Sequence, residues 1–281
     1  MTAPRPLRVA ACQLGSGQDL DTNLAQVERV LAAAAERGAR LAVLPEALDY
    51  MGPAEDAVPE PLDSRASRFI ADLAAAHGMW VLAGSVHERP SDGEGLPANT
   101  AQLFAPDGTR AGTYRKTHLF DVELADGFSY RESDTVRPGD SLMTHDIDGV
   151  STGTAICYDL RFPELFRLYA AAGARVLLLP AAFTAHTGAA HWEILLRARA
   201  IENQCFVVAA GQFGPYAPNG RSYGRSMVID PWGTVLACTP DRPEAVAVAD
   251  LDFAYQDECR AQVPSLANRR DDLYELSLRH A

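Results

Sequence analysis

Long apolar runs, paired cysteines and an excess of positive charge are all missing from this 281-residue chain. No stretch approaches the roughly 18 uninterrupted apolar residues of a membrane span, which excludes an integral helical membrane protein. The five cysteines, Cys12, Cys157, Cys205, Cys238 and Cys259, are odd in number and form no C-x-x-C pair. That suits neither a disulfide framework nor a zinc cluster, points to a reducing compartment and leaves at least one thiol free for chemistry. Lys and Arg together number 25 against 37 Asp and Glu, a net charge of −12 that repels phosphate backbones and anionic surfaces. Nucleic acid and membrane are therefore not expected as partners. Neither a G-x-G-x-x-G nor a Walker motif occurs, so a nucleotide-binding module has no support. Repeats, low-complexity tracts and linkers are absent as well, and the start M-T-A-P-R-P-L-R-V is too mixed for a signal peptide. The expected location is the cytoplasm.

What is present reads as an α/β chain. An apolar run at 7–14 precedes a helix over 19–37, in which Leu24, Val27, Val30 and Leu31 recur at helical spacing before Gly38. The run L-A-V-L-P-E at 41–46 predicts a buried strand ending at Pro45. A helix over 63–76 closed by Gly78 follows, then a strand at 79–86. Runs at 99–105 and 109–115 around Pro106-Asp107-Gly108 predict a β-hairpin. Beyond a polar stretch, strand and helix return: a strand at 149–156, a helix over 163–172, a strand at 176–179 ended by Pro180, a helix over 189–203 and a strand at 205–211. A second hairpin around Pro231-Trp232-Gly233, a strand at 245–251 and a short helix close the chain. Two αβ halves without a linker predict one domain over 1–281, core about 7–265 and tail about 266–281, with two mixed sheets packed together and helices outside.

Three polar residues fall at the ends of predicted strands, where α/β sheets place their ligands: Glu46, Lys116 and Cys157. A Cys at a strand-to-helix turn can have its thiolate favoured by the helix N-terminus, a Lys favours it further, and a carboxylate can move the proton. The bland alternative is that a lone strand Cys is buried filler, which is how Cys12, Cys205 and Cys238 read.

The blocks around these residues carry a resemblance. L-P-E-A around Glu46, Y-R-K-T-H-L-F-D-V-E around Lys116 and A-I-C-Y-D-L-R-F-P-E-L around Cys157 resemble, in order and separation, the signature blocks of the nitrilase superfamily of carbon-nitrogen hydrolases. The likeness continues through 187–203, 222–235 and R-R-D-D-L-Y at 269–274, and looks most like the Nit branch of deaminated-glutathione amidases and ω-amidases. It implies a four-layer α-β-β-α sandwich of two mixed sheets and a catalytic set of Glu46, Lys116 and Cys157, with Glu132 as an additional carboxylate. In that scheme Cys157 attacks an amide carbonyl, and Lys116 and the Tyr158 N–H meet the oxyanion. Glu46 serves the leaving ammonia and then the hydrolytic water. The implied substrate is a small carboxylate-bearing amide, deaminated glutathione or a 2-oxo ω-amide such as α-ketoglutaramate. An N-carbamoyl amino acid hydrolase or a nitrilase of the same superfamily is the alternative. Arg161 and Thr187 are candidate donors to the substrate carboxylate, with Phe120, Tyr158 and Phe183 as walls; a salt bridge from Arg161 to Glu164 or Asp159 is the competing reading. The loops at 125–131 and 213–220 border the expected pocket. Neither cofactor nor metal is implied. A homodimer is expected through the helices at 163–172 and 189–203, with Leu165, Phe166, Leu168 and Tyr169 supplying apolar surface.

Other signals weigh less. Gly220-Arg221-Ser222-Tyr223-Gly224 matches G-x-S-x-G, but it follows a loop and enters a strand, the reverse of a nucleophile elbow, and the one later His, His280, stands at the chain end. His186 and His191, five apart, do not share a helix face as H-E-x-x-H ligands do, and read as a helix-entry His and a packed His. Arg197 and Arg199 read as helix partners of Glu193 and Glu202. A non-catalytic interaction protein on the same scaffold is the remaining alternative.

Overall fold

The computed structural model describes residues 5–123 and 129–278. Its first half runs β1 (Leu7–Gln13), α1 (Leu20–Glu36), β2 (Leu41–Val43), α2 (Arg65–His77), β3 (Trp80–Glu88), β4 (Ala98–Phe104) and β5 (Arg110–Arg115). A small hairpin, β6 (Asp121–Glu123) and β7 (Ser129–Arg131), leads to the second half. That half runs β8 (Met143–Ile147), β9 (Val150–Thr154), α3 (Pro163–Ala171), β10 (Val176–Ala181), α4 (Ala185–Asn203) and β11 (Phe206–Gly211). It continues through a hairpin of β12 (Phe213–Tyr216) and β13 (Gly220–Tyr223) to β14 (Met227–Ile229) and β15 (Val235–Cys238). β16 (Ala245–Leu251) then crosses back, and α5 (Phe253–Gln262) follows.

The strands form two six-stranded sheets, in the orders β16-β1-β2-β3-β4-β5 and β15-β14-β11-β10-β9-β8. In each, three central strands are parallel (β1, β2, β3; β9, β10, β11), with one antiparallel strand on one side and an antiparallel pair on the other. Alternation along β1 shows the layering. Val9 and Ala11 point into the core shared with Val176, Leu178, Phe206 and Val208 of the opposite sheet, while Ala10, Cys12 and Leu14 pack with Leu24, Val27 and Leu31 of α1. Both faces of the central strands are thus buried, as their near-continuous apolar sequences require. The result is α1 and α2, sheet, sheet, α3 and α4: the nitrilase-like four-layer α-β-β-α sandwich. Caps fix the helix starts: Asp19, Ser64, Thr184 and Asp252 each accept a backbone N–H of the first turn.

Several local expectations shift. β2 ends at Val43, and Leu44 to Glu46 continue as a coil. β10 passes through Pro180 to Ala181, pairing Pro180 with Ala210. α4 begins at Ala185, a turn earlier than 189, because Thr184 caps it. M-T-H-D-I, too polar to read as a strand, is β8, and part of the loop 213–220 is the β12–β13 hairpin. Leu165, Phe166 and Tyr169 do not form an outer surface. They are buried, with Tyr169 pressed against Gly153, where a Cβ would meet the ring at 2.4 Å. Cys12 and Cys205 are core filler, whereas Cys238 is half-buried. Among the described residues, no helix is long and apolar enough to cross a membrane.

Candidate active site

Four chain segments bring the ionisable residues together. Glu46 follows β2 on a coil that crosses β3 so closely that a Cβ on Gly84 would lie 1.9 Å from the Leu44 carbonyl oxygen. The next residue, Ala47, takes a left-handed conformation (φ 54°) and donates its N–H to Ser85 Oγ at 2.8 Å. Lys116 leaves β5 with its N–H on the Asn99 carbonyl at 2.9 Å and its own carbonyl accepting from Gly139 at 2.8 Å. Glu132 opens a short turn after β7, and its carboxylate accepts the Phe120 N–H at 2.6 Å. Cys157 begins a single turn (Cys157–Arg161) after β9 with φ 49°, a left-handed backbone that costs a non-glycine residue on the order of 1–3 kcal/mol. Such strain persists only where surroundings enforce it, and here Asp159 does so. Its buried carboxylate accepts the Ile156 N–H (2.8 Å), Tyr114 Oη (2.7 Å), Thr117 Oγ1 (3.0 Å) and the His118 N–H (3.0 Å), and meets His118 Nδ1 at 2.7 Å. One carboxylate thus fastens the Cys157 turn to the end of β5 that carries Lys116.

The Lys116 ammonium is 3% exposed and donates to Glu46 Oε1 (2.9 Å) and to Glu132 Oε2 (2.8 Å) and Oε1 (3.1 Å). Asn99 Nδ2 donates to Glu46 at 2.9 Å and to Glu132 at 3.3 Å, and the Ala182 N–H donates to the second Glu46 oxygen at 2.8 Å. Burial pulls the Lys116 ammonium down, but Glu132 and Glu46 outweigh it and hold the group charged, well above its ordinary range. Burial likewise pushes the Glu46 carboxyl up, yet the Lys116 charge and hydrogen bonds from its neighbours bring it below the usual carboxylate range. For Cys157, burial and the adjacent Glu46 carboxylate raise the thiol well above its ordinary value, more than Lys116 lowers it. The resting pair is therefore thiol and carboxylate. The helix N-terminus expected to favour a thiolate is here a single turn of five residues, and the burial of Cys157 works against the charged form.

Glu46, Lys116, Glu132 and Cys157 share one cavity of about 420 Å³ with Phe120, Tyr158, Arg161, Phe183 and Thr187. The structure thus brings together the expected catalytic and substrate-binding residues. Tyr158 lies edge-on between Phe120 (5.1 Å) and Phe162 (5.4 Å). Arg161 pairs with neither Glu164 nor Asp159; its guanidinium stacks over Tyr158 and Phe183 and reaches His191 Nδ1 at 3.4 Å. His191, read as a packed residue, is exposed, whereas Arg197 and Arg199 do pair with Glu193 (3.7 Å) and Glu202 (2.8 Å). Of the two bordering loops, Tyr216 and Tyr130 line the cavity, while residues 125–128 lie outside the described residues, as does His280. Among the described residues, no three His, Cys, Asp or Glu side chains converge as metal ligands.

Sequence reasoning passed over Asn99 and His87, and considered Asp159 only as a partner for Arg161. Asn99 and His87 face each other across the β3–β4 ladder and both line the cavity. A polar residue at a strand end, the signal that picked out Glu46, was available for His87 as well. A plainer signal went unused: Lys116 is the chain's single lysine among 25 basic residues. A compact ammonium with three donors suits two converging carboxylates, where a planar guanidinium does not.

The sequence profile of the carbon-nitrogen hydrolases matches residues 8–261, and the chain belongs to that family. Among its relatives, the deaminated glutathione amidase of Homo sapiens is 44% identical over 276 residues, covering 95% of this chain and 83% of the relative. The omega-amidase NIT2 of Danio rerio is 35% identical over 272 residues, 96% of this chain and 97% of the relative. The crystal structure of Saccharomyces cerevisiae Nit3, a member of branch 10 of the nitrilase superfamily, matches with a TM-score of 0.85 at 30% identity, over 96% of this chain and 97% of that one.

Proposed function

We propose that the protein is an amidase that hydrolyses a small carboxylate-bearing amide, deaminated glutathione or a 2-oxo ω-amide such as α-ketoglutaramate, through a thioester on Cys157. The observation that carries this reading is the hydrogen-bonded Glu46–Lys116–Glu132 cluster sharing one cavity with the Cys157 thiol. As Cys157 Sγ bonds to the amide carbon, Glu46 takes the thiol proton and the carbonyl oxygen gains the electron pair. Lys116 and the Tyr158 N–H, which has no acceptor within its own short turn, stabilise that oxyanion. Collapse breaks the carbon–nitrogen bond while Glu46 returns its proton to the leaving nitrogen. Glu46, again a carboxylate, removes a proton from water, whose oxygen attacks the thioester; the Cys157 thiolate departs and takes that proton back from Glu46. Glu132 fixes Lys116 throughout. The leaving group is ammonia from a primary amide and an amine from a secondary one. Deaminated glutathione has only secondary amides, so an ammonia assay alone would miss its cleavage. Arg161 and Thr187 hold the acyl-side carboxylate, between walls of Phe120, Tyr158 and Phe183.

The test is a product screen, acid and amine both quantified, over deaminated glutathione, α-ketoglutaramate, an N-carbamoyl amino acid and a simple nitrile. Turnover of either of the first two is expected. Turnover of only the last two rejects the amidase reading, and no turnover with five equally inert thiols favours a non-catalytic scaffold.

A single domain over residues 1–281, a cytoplasmic location and a homodimer complete the reading. The surface that supports pairing is the outer side of α4 and the β14–β15 hairpin, where Ile194, Ile201, Trp232 and Leu236 are exposed, 69% in the case of Ile194. Arg197 Nε binds the Gly233 carbonyl at 2.7 Å, making helix and hairpin one continuous face. Light scattering at micromolar concentration should give twice the 30.3 kDa chain mass; a monomer would refute pairing.

A further inference from the structure

The catalytic cluster uses Glu46, Asn99, Lys116, Glu132 and Cys157, and two polar groups paired across β3 and β4 in the same cavity stand beside it without a task. One is His87. Its Nδ1 lies 3.1 and 3.2 Å from the Asp49 carboxylate oxygens and its backbone N–H donates to the same carboxylate at 2.9 Å. Asp49 stands behind the ring, outside the cavity lining, so it commits Nδ1 and leaves Nε2 as the only ring nitrogen free to meet a ligand. The other is Asn99 Oδ1, a buried acceptor with no partner, although the amide nitrogen of the same side chain binds both catalytic carboxylates. A buried unpartnered acceptor costs about 1–3 kcal/mol and persists where a ligand satisfies it.

Register ties these groups together. His87 and Asn99 are directly paired across the antiparallel β3–β4 ladder, which puts their side chains on one sheet face with Cβ atoms about 5 Å apart. His87 is thus one strand from the groups that hold Glu46. The chain itself leads the same way, since the segment after Glu46 supplies Tyr50, whose ring meets His87 edge-on, and Met51, Ala54 and Pro59 to the cavity lining. Arg161, Phe183 and Thr187, by contrast, come from the segments around Cys157 and Ala182. Since Glu46 must protonate the departing nitrogen, the end of the cavity beyond it receives the leaving group, and the end beyond Cys157 receives the acyl group.

We propose that His87 is a specificity-determining residue that binds a carboxylate on the leaving amine, with Asn99 Oδ1 accepting the N–H of the scissile amide. The preferred substrate is then a secondary amide with an acid group on each side of the bond cleaved. This rests on the amidase reading and narrows it. The electrostatics agree. Glu46 and Glu132 share one ammonium and leave the cluster with a net negative charge, so an anionic leaving group needs its own hydrogen-bonded cation. Burial pulls the His87 imidazolium down, but the Asp49 charge and hydrogen bond, helped by Glu46 and Glu132, raise it above its ordinary value. The groups facing the ring are Asp49, Tyr50, Glu46 and Glu132, and Tyr50 meets it edge-on at 6.3 Å. Affinity for the acidic leaving group is full while His87 is protonated and is lost as pH rises through its pKa.

Two measurements test this. The first compares N-glutarylglycine with glutaramate, which share an acyl group and differ in the leaving group. His87→Gln is expected to lower the ratio of their kcat/KM values at least tenfold, through KM for N-glutarylglycine. A parallel fall for both substrates, or no change in the ratio, overturns the proposal. The second does not depend on turnover. In Cys157→Ala, imidazole ¹⁵N NMR follows His87 as N-glutarylglycine or N-glutarylethylamine is added. The glycine compound should raise the His87 pKa and the ethylamine compound should not; equal responses, or none at millimolar ligand, overturn the proposal. If the wild type cleaves neither glutaryl amide nor any compound of the product screen, the amidase reading fails while the NMR result still decides the role of His87.

Discussion

The two halves of the molecule have the same strand plan and use it differently. β1, β2 and β3 correspond to β9, β10 and β11, with one antiparallel strand before and two after, and with helices covering the outer face of each sheet. At the end of β2 stands Glu46; the corresponding end of β10 offers only the Ala182 N–H, which donates to Glu46. At the end of β9 stands Cys157; the corresponding end of β1 leads to Ser16, which is held by Gln212 from the end of β11. The first half therefore supplies charge, the second supplies the nucleophile, and the remaining strand ends tie one half to the other. A site divided in this way exists only when both sheets are packed, so the same topology is reactive at some strand ends and adhesive at others.

Removing the nucleophile should have the largest effect on rate and one of the smallest on stability. Cys157→Ala is expected to reduce turnover by about a thousandfold or more, with a melting temperature close to wild type; retained activity would break the division of labour. Lys116→Ala should reverse that balance. It removes an oxyanion donor, about a hundredfold or more in kcat, and strands two buried carboxylates, a loss of about 3–5 kcal/mol visible in denaturant titration. If the two variants prove equally stable, the first half does not carry the electrostatic load assigned to it. Asp159→Asn loosens the fastening between the halves. A stability loss of about 2 kcal/mol and a clear fall in kcat with little change in KM are expected, because the Cys157 turn and the Lys116 strand end lose their common anchor. Gln212→Ala cuts the tie at the neighbouring strand ends, where Gln212 Nε2 bonds Ser16 Oγ at 2.8 Å and the Glu46 carbonyl at 2.9 Å. A cost of about 1–3 kcal/mol with a smaller loss of rate is expected.

The smallest effect is in pH. The Glu46 carboxyl is lowered on folding, so its contribution to stability is complete above the pKa of a free carboxyl and lost as pH falls through the folded value. The Cys157 thiol is raised, so its contribution is complete below the free thiol's value of 9.0 and lost as pH rises beyond it. Chemical denaturation from pH 7 to 11 should therefore show wild type losing stability faster than Cys157→Ala; parallel curves would place the thiol in a wetter site than the one described.

The αβ order, both large hairpins and the three strand-end residues were legible in the sequence because each depends on a local pattern: apolar period, turn residues, or a polar side chain where an apolar run stops. β8 was not, since M-T-H-D-I has no apolar alternation and pairs only because V-S-T-G-T returns beside it. The apolar face of α3 was legible as a face but not as to its neighbour; a helical stripe packs equally well on its own sheet or on a second chain, and here its own sheet takes it. Asp159 looked like a possible partner for Arg161 because both lie on one short segment, whereas all but one of its donors come from residues 114–118, a separation no local rule spans. His87 was hidden for the same reason, since strand periodicity shows which residues share a face but not which of them border a cavity.

That the one lysine side chain is 3% exposed also bears on how the protein can be handled. Every other basic side chain counted in its composition is an arginine, so the folded surface offers no side-chain amine to acylating reagents, cross-linkers or aldehydes. Immobilisation and dye labelling through lysine will fail on the native protein. When an amine reagent does incorporate at Lys116, it has entered the cavity or met an opened chain, and a bound substrate analogue distinguishes the two by protecting only against the first.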